Sequence, residues 1–232
     1  MSQNKIYDLI QNSFMDIASW SLYRPIMENK TLSKEKEWGN RTIGNEDPIK
    51  TTNQWTTTLG EYFVEELFQK IGYNIVPRRK IGKYQPDRET DEFIIEVKTR
   101  NWSTSGTAGE KVYGTPLKYA SIPKLTGKPL LIVCVGFQEY EFIHGNTPVF
   151  GPNVHEDQQE FLDFYKTKNI YYVPCSYLIY LYLTQQKISL DCIQPMSNIL
   201  PPLSLLPDSL NLSPVLPLPP RTDNSSENIL QP

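Results

Sequence analysis

Near its middle, the chain has a pattern that predicts a β-hairpin with one charged face. Between Phe93 and Lys98, apolar side chains alternate with Glu96 and Lys98. Successive residues of a strand point to opposite faces of a sheet. One face of this strand is therefore expected to be apolar and the other to carry charge. The predicted strands are 84–89 and 92–100, joined by the polar turn Thr90-Asp91-Glu92.

The segments around this hairpin predict an α/β fold. Apolar residues from Leu59 to Ile71 recur at helical spacing, and Gly72 is placed to end that helix. The apolar run Pro129–Gly136 predicts a fully buried strand. The order helix, strand, strand, strand, helix, strand predicts a mixed β-sheet flanked by helices. The other predicted elements are an amphipathic helix at 4–22, a strand at 73–76, helices near 115–125, 157–168 and 175–184, and a strand at 170–173.

These elements predict one catalytic domain with additions at both ends. The core is expected at 58–138, and residues 139–194 are expected to extend the same domain. Residues 1–57 are predicted to form the first helix and then, from residue 28, a polar loop or arm. Nine of the 19 prolines lie in 195–232, which predicts a tail that is disordered or polyproline-like.

The charge distribution indicates a possible partner. The chain has a net charge of −3, yet residues 78–128 contain 11 Lys and Arg against 6 Asp and Glu, a local balance of +5. A basic middle in an acidic chain is expected of a phosphate-binding groove. A solvated basic surface is the other interpretation.

Cysteine use and hydropathy predict a cytoplasmic protein. Three widely spaced cysteines without a CxxC pair argue against a disulfide framework or a zinc site, and they fit a reducing compartment. The apolar runs are shorter than the about 18 residues expected of a membrane-spanning helix. The polar start leads into no apolar stretch of the signal-peptide kind.

Three residues of the hairpin form a candidate catalytic site: Asp87, Glu96 and Lys98. Hydrolysis of a phosphodiester brings an anionic nucleophile to an anionic phosphate, and Mg²⁺ held by carboxylates removes that conflict. A turn centred on residues 91–92 would set Asp87 opposite Glu96, with Cβ atoms about 4.5–5.5 Å apart. Lys98 shares the face of Glu96, from which it can orient water and offset charge in the transition state.

The spacing resembles a known signature. Pro86-Asp87, eight intervening residues and then Glu96-Val97-Lys98 are similar to the motif of the PD-(D/E)xK nuclease superfamily. The helix beginning Leu59-Gly60-Glu61 is similar to the first core helix of that superfamily. The resemblance covers roughly residues 58–136 and implies a restriction-endonuclease-like core. It also implies Mg²⁺ held by Asp87, Glu96, the Val97 carbonyl and Glu61, with Glu65 as the alternative to Glu61.

Within the superfamily, the chain most resembles small type II restriction endonucleases of bacteria and large algal viruses. The residues that carry this likeness are Glu96–Arg100 and the following loop Ser105–Lys111. It implies a site-specific cut of double-stranded DNA that leaves 5′-phosphate and 3′-hydroxyl ends. It further implies a homodimer with two active sites, and a methyltransferase that protects host DNA at the same sequence.

Several other charged residues are assigned on weaker grounds. Glu89, Asp91 and Glu92 are expected to keep the turn soluble, and His144 and His155 to be surface residues. Phosphate contacts are predicted for Arg78, Arg79, Lys80, Lys83, Arg100 and Lys111, with Lys118 and Lys124 as further candidates. A solvated basic edge is the alternative for the first four.

Two alternative functions stay open. A structure-specific nuclease, such as a junction resolvase or a repair endonuclease, would use the same core on branched or mismatched DNA. A non-catalytic DNA-binding or interaction module would keep the fold without the chemistry, and the Pro-rich tail fits that alternative better.

Overall fold

A computed structural model of the chain describes residues 3–22, 32–45, 54–103 and 110–193. These residues contain a five-stranded mixed sheet with the strand order β1-β2-β3-β4-β5. The first three strands are antiparallel neighbours, whereas β3, β4 and β5 are parallel. The α/β class predicted from the element order is confirmed. The strands are β1 (Ile75–Val76), β2 (Arg88–Thr90), β3 (Ile94–Arg100), β4 (Leu130–Gly136) and β5 (Ile170–Pro174).

Helices cover both faces of this sheet. One layer contains α1, α2, α4 and α10, and the other contains α7, α8 and α9. Shorter or peripheral helices complete the fold, and a 3-10 turn follows at Leu190–Cys192. The helices are α1 (Gln3–Asn12), α2 (Phe14–Leu22), α3 (Leu32–Thr42), α4 (Trp55–Ile71), α5 (Glu110–Tyr113), α6 (Thr115–Lys118), α7 (Ile122–Thr126), α8 (Phe137–His144), α9 (Glu156–Thr167) and α10 (Cys175–Thr184).

The central strand β4 explains why the sheet needs two helical layers. All seven of its residues are buried, as the apolar run predicted. Leu131 and Val133 belong to the core beneath α4 and α10, whereas Leu130 and Ile132 belong to the core on the opposite face. Strands of parallel sheets that are buried on both faces have such continuous apolar sequences.

The helix α4, which precedes the hairpin, is longer than predicted. It begins at Trp55, and Gln54 at the N-cap forms no side-chain capping bond. It ends at Gly72, which has φ +92° and donates backbone hydrogen bonds to Gln69 and Phe68. The predicted end of the helix is confirmed. Glycine suits this position because it adopts the left-handed conformation without steric cost.

The polar loop or arm predicted from residue 28 is wrong for residues 32–42, which form α3. Contacts distant in sequence hold this helix. Trp38 lies 5.6 Å from Trp20 and 6.3 Å from Trp55 between ring centroids. Gly39 packs so closely on Trp55 that a Cβ there would lie 2.1 Å from Cε3. Tertiary packing therefore stabilises a segment with no helical periodicity of its own.

The single helix predicted at 4–22 is interrupted at one residue. Ser13 separates α1 from α2, but hydrogen bonds from Ser13 N–H to the Leu9 carbonyl and from Ile17 N–H to the Ser13 carbonyl continue across the junction. The predicted Pro-rich tail at 195–232 and most of the loop Ser105–Lys111 lie outside the described residues.

Gly60 sets how closely α4 approaches β3, and Gly60→Ala is expected to destabilise the fold. A Cβ at this position would lie 1.7 Å from Thr99 Oγ1. Forcing a methyl group into such a contact costs about 1–3 kcal/mol, which urea denaturation can measure. Gly114→Ala is the control, because its nearest neighbour would be 3.6 Å away. Equal free energies of unfolding for the two variants would contradict this account.

A buried carboxylate, Glu139, links α8 to α10 and is expected to make stability pH-dependent. It accepts a hydrogen bond of 3.1 Å from Ser176 N–H. Burial raises the pKa of Glu139 to about 7 from its ordinary value of 4.5. Between these values the folded protein binds more protons than the unfolded chain, so stability falls as pH rises through that window.

Glu139→Gln removes the titrating group and keeps an acceptor oxygen for Ser176. The variant is therefore expected to gain melting temperature relative to the unmodified protein between pH 5 and pH 8. Glu160→Gln, at an exposed position of α9, should show no such relative gain. Parallel melting curves for the Glu139 variant and the unmodified protein across this range would refute the assignment.

Candidate active site

The hairpin of β2 and β3 brings the two predicted carboxylates to one place. Arg88 pairs with Ile95 and Glu89 with Ile94, which is the predicted register. Its extension by one pair sets Asp87 opposite Glu96. The strand predicted from residue 84 begins only at Arg88, because Pro86 has no N–H to donate to a ladder.

Asp87 is fixed by the neighbouring strand. Its Oδ2 accepts a hydrogen bond of 2.8 Å from Val97 N–H. Its other oxygen, Oδ1, lies 3.6 Å from Nη2 of Arg78, and the side chain is 14% exposed. One oxygen of Asp87 is therefore bonded to the backbone, and the other faces the half-exposed guanidinium of Arg78.

Glu96 is the most buried acid of the candidate site. The residue is 3% exposed, and Oε1 accepts a hydrogen bond of 2.7 Å from Lys98 Nζ. The Tyr119 hydroxyl also lies against the Glu96 carboxylate. Burial raises the pKa of Glu96 and the charge of Asp87 raises it further, whereas Lys98 and the Tyr119 hydroxyl oppose the rise. A second cation beside these carboxylates would offset both the cost of burying the Glu96 charge and the repulsion between Glu96 and Asp87.

Glu61 on α4 is the third acid of the candidate site. Burial raises the pKa of Glu61 and the charge of Asp87 adds to that rise. Its Oε2 accepts a hydrogen bond of 2.8 Å from Arg88 Nη1 and lies 3.8 Å from Arg78 Nη1. Glu61 thus belongs to the same electrostatic cluster as Asp87, and the guanidinium groups of Arg88 and Arg78 lie beside its carboxylate.

Glu65, the alternative to Glu61, has a structural role instead. It is 3% exposed. It accepts hydrogen bonds from Nε of Arg88 and from the Tyr7 hydroxyl. Its oxygens are thus engaged by α1 and β2. The sequence analysis assigned no role to Arg88. Its position directly after Asp87 in a predicted strand could have marked it as a partner for the acids of the preceding helix.

A cleft of about 530 Å³ opens at the carboxyl end of β3. Among the described residues that line it, four are basic and one, Asp87, is acidic. Such a lining favours an anionic ligand that extends along the cleft past Asp87. The lining residues are Thr57, Asp87, Val97, Lys98, Thr99, Arg100, Lys111, Val112, Gly114, Thr115, Lys118 and Gln138.

The predicted phosphate contacts divide between this cleft and other places. Lys111 and Lys118 line the cleft. Arg100 lines it too, but the residue is only 7% exposed and donates a hydrogen bond of 2.6 Å to Glu141. Lys80, Lys83 and Lys124 are exposed outside the cleft lining, and Arg78 contacts the carboxylates described above.

Arg79, a predicted phosphate contact, forms an ion pair with Glu89. Two hydrogen bonds of 2.8 and 2.9 Å join the Arg79 guanidinium to the carboxylate, which also accepts one of 2.8 Å from Lys128. Glu89 is 3% exposed, so its prediction as a solvated turn residue is wrong. The side chains of Arg79 and Lys128 contact its carboxylate from two sides. Asp91 and Glu92 are exposed, as predicted.

His144 and His155 are exposed, as predicted. In the described parts of the chain, no group of three or more His, Cys, Asp or Glu side chains is arranged to hold a metal ion. None of the helices in those parts is long and apolar enough to cross a membrane. Comparison with protein-family models, with curated proteins and with solved structures finds no match to this chain.

Proposed function

We propose that this chain is a Mg²⁺-dependent endonuclease that hydrolyses phosphodiester bonds of double-stranded DNA. One observation carries the proposal. The carboxylates of Asp87 and Glu96 lie in one hairpin beside Lys98, and Glu96 is 3% exposed. The lining of the adjoining cleft includes four basic side chains and one acidic one. Two neighbouring carboxylates that repel each other in a partly buried site favour a bound cation.

The residues present fit one Mg²⁺ ion with a shell completed by water. Mg²⁺ is commonly held by one or two carboxylates and keeps several waters, so a group of three acidic ligands is not required. Asp87, Glu96 and the Val97 carbonyl would hold the ion. Glu61 would act from outside that set, because Arg88 already occupies one of its oxygens. The bound ion would supply Lewis-acid activation of water and charge neutralisation at the phosphate.

Lys98 is the residue proposed to act on the reacting atoms. Its ammonium donates to Glu96 and lines the cleft. From this position it can orient an attacking water and stabilise negative charge that develops on the phosphate. Asp87 is held against β3 by the hydrogen bond from Val97 N–H, so its carboxylate is already placed for the reaction. Preorganised groups of this kind lower a barrier more than mobile ones.

The finer assignment is also a proposal. The succession α4, β1, β2, β3, α7, β4 resembles the restriction-endonuclease-like core of the PD-(D/E)xK superfamily. We assign the chain to type II site-specific enzymes that leave 5′-phosphate and 3′-hydroxyl ends. A cut in both strands of a palindrome requires a homodimer. Protection of host DNA requires a methyltransferase of the same specificity.

The test is an incubation of the purified protein with unmethylated phage DNA in Mg²⁺ and in EDTA. The Asp87→Ala variant, purified in parallel, controls for contaminating nucleases. Discrete fragments that need both Mg²⁺ and Asp87 are expected, and their mapped ends would give the recognition sequence. A smear would keep the nuclease and remove the site-specific assignment. Failure to cut linear or branched DNA would favour a binding module.

A further inference from the structure

A buried amide in the wall of the cleft has no role in the chemistry proposed above. Gln138 lies in the first turn of α8 and is 2% exposed. Within the described residues, its Nε2 has no hydrogen-bond partner. The residue lines the same cleft as Lys98, Lys111 and Lys118. A buried donor without a partner is an unfavourable feature that a ligand accepting its hydrogen bond would remove.

The sheet fixes where this amide lies relative to Lys98. Strands β3 and β4 are parallel, and Arg100 pairs with Gly136 at their carboxyl ends. Gln138 follows Gly136 by two residues, and Lys98 precedes Arg100 by two. The two side chains therefore border one cleft at the carboxyl end of neighbouring parallel strands, which is where ligands of α/β sheets bind.

Neighbouring contacts hold the first turn of α8 in place. Glu139 accepts a hydrogen bond of 3.1 Å from Ser176 N–H. Phe137 lies under the Arg100 guanidinium, 4.8 Å from the ring centroid, and 5.6 Å from Trp102. Gln138 is thus supported on both sides, and little conformational freedom is lost when its amide binds a ligand.

The chemistry of the wall identifies the ligand class. The amide Nε2 and the ammonium groups of Lys111 and Lys118 are all hydrogen-bond donors. A ligand that meets them must present acceptor oxygens with negative charge. A phosphate has both properties, whereas a base edge would pair with one amide but would not use two ammonium groups.

We propose that Gln138, Lys111 and Lys118 form a second phosphate subsite, distinct from the carboxylates. The subsite binds a phosphodiester that neighbours the cleaved one on the same DNA strand. This assignment to DNA rests on the proposed function, whereas the affinity for phosphate does not. By binding the neighbouring phosphate, Gln138 adds affinity for the DNA strand beside Asp87 and Glu96.

Gln138→Leu tests the subsite, because leucine fills a similar volume and cannot donate a hydrogen bond. Binding of a fluorescent DNA duplex in EDTA is expected to weaken about tenfold, the loss of one hydrogen bond to a charged group. In Mg²⁺, KM should rise by a similar factor with kcat nearly unchanged. The melting temperature should not fall, because the variant removes an unpaired buried amide.

Gln69→Leu is the matched control, since Gln69 is exposed on α4 and outside the cleft lining. It should leave DNA binding and KM unchanged. A Gln138→Leu variant that melts well below the unmodified protein would indicate a packing role and overturn the proposal. Unchanged DNA binding in this variant would overturn the assignment to DNA.

A second measurement separates this proposal from the proposed function. Inorganic phosphate is titrated into the unmodified protein without metal or DNA, and the side-chain amide NMR signal that Gln138→Leu eliminates is followed. A saturable shift is expected, even if the protein neither binds nor cuts DNA, in which case only the proposed function fails. The absence of any shift would overturn the subsite.

Discussion

Replacing Lys98 with alanine is expected to slow DNA cleavage by about 10²–10³-fold, as the loss of one preorganised stabilising group does in other enzymes. The ammonium lies 2.7 Å from Glu96 Oε1 and borders the cleft where substrate is proposed to bind. Its charge would be most valuable when negative charge develops on the phosphate. Single-turnover cleavage in Mg²⁺ measures this loss, and the binding of duplex DNA in EDTA should change little.

The control for this variant is Lys124→Ala. Lys124 is an exposed lysine on α7, so the substitution removes the same charge outside the cleft lining. Its cleavage rate should stay near that of the unmodified protein. If Lys98→Ala also cleaved at that rate, Lys98 would have no part in the mechanism. If Lys98→Ala lost DNA binding to the same extent as cleavage, Lys98 would be a phosphate contact.

The elements that the sequence predicted are those whose pattern is local. The stop of α4 at Gly72 depends on one residue that adopts φ +92°. The buried strand β4 depends on seven consecutive small or apolar residues. Helix α3 has no such pattern, because its order depends on Trp38 meeting two tryptophans that are distant in sequence. Helix α8 was not predicted either, since it starts directly after β4 without a polar break.

The same distinction applies to the candidate site. Asp87, Glu96 and Lys98 could be brought together from the sequence because a hairpin register follows from its turn. The partners of these residues come from other elements. Arg88 reaches Glu61 and Glu65 across the gap between β2 and α4, and Gln138 enters the cleft from α8. Such placements depend on how layers pack, which periodicity does not specify.

Arg88→Met is expected to lower the free energy of unfolding by about 3–5 kcal/mol, the usual cost of breaking a buried ion pair from one side. Arg88 is 9% exposed and donates hydrogen bonds to both Glu61 and Glu65. Methionine can still pack against the ring of Tyr62, over which the guanidinium lies at 5.0 Å. The expected loss is therefore electrostatic, because the buried Glu65 and the half-buried Glu61 are left without their shared cation.

Urea denaturation of three variants distinguishes this cause from lost packing. Arg78→Met removes a cation that is 44% exposed and lies 3.6–3.8 Å from its acids, so it should cost less than about 1 kcal/mol. Adding Glu65→Gln to Arg88→Met should recover part of the loss, because it neutralises one uncompensated charge. The loss for Arg88→Met should also shrink in acid, where protonation discharges the carboxylates. Two outcomes would show that the ion pair does not hold α4 to the hairpin. One is a loss of stability for Arg88→Met no larger than that for Arg78→Met, and the other is a loss that changes neither with pH nor on adding Glu65→Gln.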